Sequence, residues 1–160
     1  MPKSNPPCDT VYASEEATLT LTERTQLIYA AFGRGDIPYI LEQLDPAVRW
    51  EDWGEPNSAQ TAGVPWLKKR HGRDGAREFF EIVGTMKFHQ FSVLSIMEGE
   101  NQVASEVELD IELPGGTRFR EQEIHLFTFG PDGQIVRFRH YGDWGAHIEA
   151  ATAMAQSANP

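Results

Sequence analysis

Glu106-Val107-Glu108-Leu109-Asp110-Ile111-Glu112-Leu113-Pro114-Gly115-Gly116-Thr117-Arg118-Phe119-Arg120-Glu121-Gln122-Glu123-Ile124-His125-Leu126-Phe127 alternates polar and apolar residues on both sides of a Pro-Gly-Gly turn. This is the pattern of two paired strands that each bury one face. On the first arm Glu106, Glu108, Asp110 and Glu112 share one face, and Val107, Leu109, Ile111 and Leu113 the other. A three-residue loop at Pro114-Gly115-Gly116 sets Leu113 opposite Thr117, so that Glu112 meets Arg118, Asp110 meets Arg120 and Glu108 meets Gln122 across the outer face. The same register turns Phe119, Glu121, Glu123, His125 and Phe127 inward with Val107, Leu109 and Ile111. That inner face is apolar except for two carboxylates and an imidazole.

Flanking segments near 87–97 and 134–143 alternate in the same way and are separated by Glu98-Gly99-Glu100-Asn101 and Gly130-Pro131-Asp132-Gly133. The four segments predict one antiparallel meander. In the last hairpin a two-residue loop sets His125 opposite His140, a four-residue loop sets Glu123 opposite His140, and a glycine bulge shifts the register again. With either even loop Val136, Phe138 and His140 face inward. Opposed Cβ atoms lie about 5 Å apart and diagonal ones roughly 7 Å, so Glu123, His125 and His140 can cluster.

Upstream, Thr20-Leu21-Thr22-Glu23 reads as a capping box opening a helix with Leu21, Ile28 and Phe32 on one face, ended by Gly33-Arg34-Gly35. Asp36 caps a short second helix through about Gln43. Residues 48–53 read as a strand with Val48, Trp50 and Asp52 on one face and Glu51 on the other. A long loop with Trp66 follows as a pocket lid, and then a helix carrying Ala76, Phe79, Phe80 and Val83 at i, i+3, i+4 and i+7. Residues 1–18 read as a mobile arm, 19–150 as the domain, and 151–160 as a tail at the end of an alanine-rich segment.

The 160 residues, 40% hydrophobic, suffice for one domain with its own core. Fourteen Lys and Arg against 24 Asp and Glu give a net charge of −10, which disfavours nucleic acid and anionic membranes as partners. The single cysteine, Cys8, excludes an intrachain disulfide and a thiolate metal cluster. No apolar run is long enough to cross a membrane and no secretory signal is visible, so the cytoplasm is the expected compartment.

Ile28-Tyr29-Ala30-Ala31-Phe32-Gly33-Arg34-Gly35-Asp36, Val48-Arg49-Trp50-Glu51-Asp52, Gly72-Arg73-Asp74-Gly75-Ala76-Arg77-Glu78-Phe79-Phe80 and Gly133-Gln134-Ile135-Val136-Arg137-Phe138-Arg139-His140-Tyr141-Gly142-Asp143 carry a resemblance. Over roughly residues 20–150 the chain resembles the SnoaL-like, ketosteroid-isomerase-like branch of the nuclear transport factor 2 (NTF2-like) superfamily. The resemblance implies an α+β cone, a curved antiparallel sheet packed on three helices around a hydrophobic pocket. It also implies a reaction within a superfamily that includes isomerases, polyketide cyclases, dehydratases, epoxide hydrolases and non-catalytic binding proteins. By position Asp52 matches the isomerase base, with Glu51 left open by loop spacing, and His125 falls where the isomerase keeps its donor acid. His140 stands where cyclases and epoxide hydrolases resemble one another in having an aspartate, and Tyr29 sits one residue out of register with the isomerase tyrosine.

These readings combine into an expected enzyme without cofactor or metal, moving a proton on a small apolar carbonyl compound. In it Asp52 transfers the proton, His140 tuned by Glu123 is a second acid/base, and His125 donates to the developing oxyanion. The expected pocket wall is Tyr29, Phe32, Trp50, Trp66 and Phe80 with Val107, Leu109, Phe119, Phe127 and Phe138. A non-catalytic binding or scaffold protein is the alternative, and a dehydratase, hydratase or epoxide hydrolase the nearest enzymatic variant. Zinc held by His125, His140 and a carboxylate lacks any short His-x-His or His-x3-His spacing. His71, His89 and His147 are given no role, His147 being read as part of the C-terminal segment. A homodimer through the outer ladder from Glu106 to Arg120 is expected.

Overall fold

Six strands form one curved, mixed sheet in the order β2-β1-β6-β5-β4-β3, and five α-helices accompany it in the computed structural model, which describes residues 19–159. The arm over residues 1–18, with Cys8, lies outside the described residues. Helix α1 (Leu21–Gly33) and α2 (Ile37–Glu42) lead into β1 (Leu44–Trp50). A loop with the four-residue α3 (Ser58–Thr61) and a 3-10 turn (Pro65–Leu67) reaches β2 (Arg70–His71) and α4 (Gly72–Val83). The meander β3 (Lys87–Glu98), β4 (Gln102–Glu112), β5 (Arg118–Phe129) and β6 (Ile135–Tyr141) follows, and α5 (Trp144–Ala158) closes the chain.

The charge ladder on the outer face sets the central hairpin in the expected register. Glu112 lies opposite Arg118, Asp110 opposite Arg120 and Glu108 opposite Gln122. Asp110 accepts two hydrogen bonds from Arg118, at 2.6 and 2.8 Å, and one from Arg120 at 2.7 Å. The Arg118 bonds above all hold its carboxyl at about 2. In the next hairpin His125 lies opposite His140, the pairing of the two-residue option. The chain reaches it by a longer turn, in which Gly130 N–H bonds Gln134 O at 2.8 Å, and by a register shift at Thr128/Phe129.

To this antiparallel meander β1 adds a parallel partner, with Arg49 opposite Arg137 and Trp50 opposite Phe138. The strand ends at Trp50, three residues before the expected end, and this shapes the site. Ile28, Leu44, Val48, Phe79, Val103, Phe127, Ile135 and Phe138 are among the side chains that fill the interior between helices and sheet. The residues set apart as a tail, 151–158, continue α5, because Asp143 caps the helix through Ala146 N–H at 3.2 Å and the alanine-rich run favours helix throughout. No described helix is long and apolar enough to cross a membrane.

Thr20 and Glu23 close the capping box of α1, with Glu23 N–H donating to Thr20 Oγ1 at 3.1 Å and Thr20 N–H to Glu23 Oε2 at 2.8 Å. Thr20→Ala removes the side-chain acceptor and is expected to lower stability by about 1 kcal/mol, read as a lower urea midpoint at unchanged m.

Candidate functional site

Glu51 is the only non-glycine among the described residues with positive φ, +53°. Strand alternation would send Asp52 inward after Val48 and Trp50, but the left-handed residue rotates the chain so that Glu51 enters the interior instead. The conformation is held from both sides: Glu51 N–H donates to Phe138 O at 2.9 Å, and Glu51 O accepts from Gln60 Nε2 at 2.7 Å. Its carboxylate, fully buried, accepts His140 N–H at 2.9 Å and bonds His140 Nδ1 through Oε1, and accepts Trp53 Nε1–H at 3.1 Å through Oε2.

Asp52 therefore does not occupy the position expected of it. Its carboxylate points away from the cavity, 3.4 Å from Lys69 Nζ and 3.4 Å from Gly54 N. Desolvation is the largest single influence and acts upward, but the Gly54 N–H and Lys69 outweigh it and hold the carboxyl below its ordinary value. The pairing of His140 with Glu123 is likewise replaced, since Glu51 takes His140.

Glu123 instead shares a 2.6 Å hydrogen bond between Oε1 and Nε2 of His125, and His125 Nδ1 shares one of 2.9 Å with the Tyr29 hydroxyl. Burial governs all three groups: it pushes the Glu123 carboxyl up to about 8, lowers His125 to about 4, and drives the Tyr29 hydroxyl upward. Burial thus favours a neutral acid beside a neutral imidazole over an ion pair. The His125 and His140 rings meet edge to face, their centroids 4.8 Å apart.

These groups face a cavity of about 100 Å³. Of the expected wall, Tyr29, Phe32, Trp50, Trp66, Phe80, Leu109, Phe119, Phe127 and Phe138 line it. Val107 does not: completely buried between Val93 and Glu123 in the ladder, it packs behind the lining. Trp66, expected as a lid, is buried in the wall, and its Nε1–H donates to His147 Nδ1 at 2.9 Å. His147, read from sequence as a residue without a role, is 4% exposed and bonds Glu121 through Nε2. The one sequence signal for it is Asp143, whose capping fixes the phase of α5. Phe79, Phe88 and Phe91 also line the cavity and were not foreseen there.

Two trios bring potential ligand atoms within 4.8 Å of one another: Glu123, His125 and His140, and Glu121, Glu123 and His147. In the second, the indole N–H on Nδ1 leaves the His147 proton on Nε2, where an ion would need a lone pair. In the first, His125 Nε2 already bonds Glu123. We assign neither trio as a metal centre.

The family model of the SnoaL-like domain matches residues 25–138. The chain belongs to this SnoaL-like family. Among solved structures this SnoaL-like chain is similar to an NTF2-like protein of unknown function from Burkholderia pseudomallei K96243, at 22% identity over 84% of this chain and 100% of that one, TM-score 0.69. It is similar also to TerC co-crystallised with polyporic acid, at 22% identity over 82% and 98% of the two chains, TM-score 0.66. A candidate isomerase from Rhodopseudomonas palustris matches at 17% identity over 84% and 98%, TM-score 0.63. At these identities the likenesses show the NTF2-like fold alone. No curated protein matches the chain significantly.

Because Glu123 holds its proton up to about pH 8 in the folded chain but releases it at ordinary carboxylate values when unfolded, its contribution to stability is lost as pH rises between those limits. Glu123→Gln mimics the neutral acid at every pH. Its melting temperature relative to wild type is expected to rise steadily from about pH 5 to about pH 8; a pH-independent difference in calorimetry would contradict the assignment.

Proposed function

We propose that this SnoaL-like domain is an acid/base enzyme that moves a proton on a small apolar carbonyl compound without a cofactor, isomerising it or closing a ring by an aldol-type step. The observation that carries this reading is the fully buried Glu51 carboxylate bonded to His140 Nδ1. A carboxylate at Nδ1 fixes the imidazole tautomer, leaves Nε2 as the base, and stabilises the imidazolium that forms. The aromatic wall admits a flat or small apolar substrate and excludes water. His140 removes a proton next to the carbonyl, and the neutral donors of the adjoining group, Tyr29, His125 and Glu123, supply hydrogen bonds or a proton to the oxygen where charge develops.

A base and a neutral acid side by side also suit loss or addition of water, so β-hydroxy ketones belong in the same substrate panel as enolisable ketones, enones and small polyketide-like esters. His140→Gln is expected to lower kcat/KM by about 100-fold or more, the scale of general-base removal. Glu51→Gln, which keeps shape but removes the charge behind the imidazole, is expected to cost at least about tenfold. Asp52→Asn is expected to stay within about twofold of wild type. Turnover followed by absorbance and binding by calorimetry decide the matter: a wild type that binds several of these compounds and turns over none is a binding protein.

A further inference from the structure

Glu121, Glu123 and His147 lie together on the α5 side of the cavity, and the Glu51–His140 pair does not use them. An indole N–H only donates, so the 2.9 Å bond from Trp66 Nε1 makes His147 Nδ1 an acceptor and puts the ring proton on Nε2. That proton is donated to Glu121 Oε1. The other Glu121 oxygen accepts Asp143 N–H at 3.2 Å, at the N-terminus of the 15-residue α5, where the helix dipole favours an anion. Gly142 leaves room for this arrangement, since a Cβ there would stand 3.1 Å from Glu121 Oε1 and 3.4 Å from His147 Nε2. Both carboxylate oxygens of Glu121 are thus acceptors.

Glu123 follows two residues later on the same face, with carboxyl oxygens of the two residues within 4.8 Å of each other. Two buried carboxyls so placed do not both ionise. The other groups facing Glu123 are His125 on its own strand, His140 on β6, Tyr29 on α1, and His147 on α5, whose Nε2 lies 3.8 Å from Glu123 Oε2. Desolvation raises the Glu121 carboxyl, but the His147 bond and the other donors outweigh it and bring it below its ordinary value.

We propose that Trp66 and His147 are positioning residues of the site: by holding Glu121 as the ionised member of the carboxyl pair, they place the pair's one proton on Glu123, the side that passes it through His125 and Tyr29. The loop carrying Trp66 and the C-terminal helix thereby set the protonation state of a group on β5. The catalytic meaning rests on the acid/base reading above; the location of the proton does not.

The test is infrared spectroscopy of the ligand-free protein at about pH 7, read at the neutral carboxylic acid band that shifts on exchange into deuterium oxide. Wild type should show the band and Glu123→Gln should abolish it. In His147→Leu, Glu121 loses its donor and takes the proton, so the band should survive addition of Glu123→Gln. His147→Gln keeps an N–H toward Glu121 and should restore the wild-type pattern. Trp66→Phe, which frees the His147 tautomer without removing the ring, covers the case in which His147→Leu does not fold. With the donor to Glu121 no longer enforced, Glu121 shares the proton, so in Trp66→Phe too the band should survive addition of Glu123→Gln. Absence of the band in wild type, its persistence in Glu123→Gln, or an unaltered pattern in whichever of the two variants folds would overturn the proposal. If the infrared pattern holds and no substrate turns over, the positioning stands and the acid/base reading fails. If turnover depends on His140 while the band is missing, this proposal alone fails.

Discussion

Where the parallel pairing of β1 with β6 ends at Trp50, Glu51 turns left-handed and enters the interior, and the polar half of the cavity depends on that turn. A non-glycine residue in this region is strained by about 1–3 kcal/mol and persists only where its surroundings over-determine it. Here Phe138 O fixes the N–H, Gln60 fixes the carbonyl, and two donors from His140 fix the carboxylate. With Glu51 inside, His140 has a carboxyl partner at Nδ1 and borders the cavity. Asp52 is left to hold the rim with Lys69 and, through its carbonyl, Arg137.

An interior with three carboxyl groups and three imidazoles cannot keep them all charged, because an unpaired ion in an apolar medium is far costlier than a hydrogen-bonded neutral group. The fold separates them by environment. Glu51 accepts two His140 donors and Trp53, and the Glu121 carboxyl is held below its ordinary value by His147 and the head of α5. Glu123 and His125 have neither a helix end nor an N–H cluster to themselves, so burial keeps both neutral. Burial moves the Glu123 carboxyl up and the His125 imidazole down, and both stand beside His140 on one wall of the aromatic cavity.

The C-terminal helix belongs to the site as much as the meander does. Its first turn supplies the Asp143 N–H and His147 to Glu121, and Trp66 joins that turn to the loop between β1 and β2. These contacts tie three segments distant in sequence into one network, so the shape of the cavity and the protonation of its lining are linked.

The period-two alternation of residues 106–127 and the Pro-Gly-Gly turn were enough to determine the central hairpin, its outer charge ladder, and the inward set of Phe119, Glu121, Glu123, His125 and Phe127, since pleat and turn length act locally. The meander, the capped α1 and the family likeness were legible for the same reason. Alternation also limited the reading: it holds only while the backbone stays extended, and it fails at Glu51, where contacts from β6 and Gln60 select a left-handed residue. The partners of β1, the register after Phe129 and the docking of α5 depend on segments far apart in the chain. Tertiary structure alone therefore decided that Glu51 and not Asp52 faces His140, that Glu123 pairs with His125, and that His147 lies within the site.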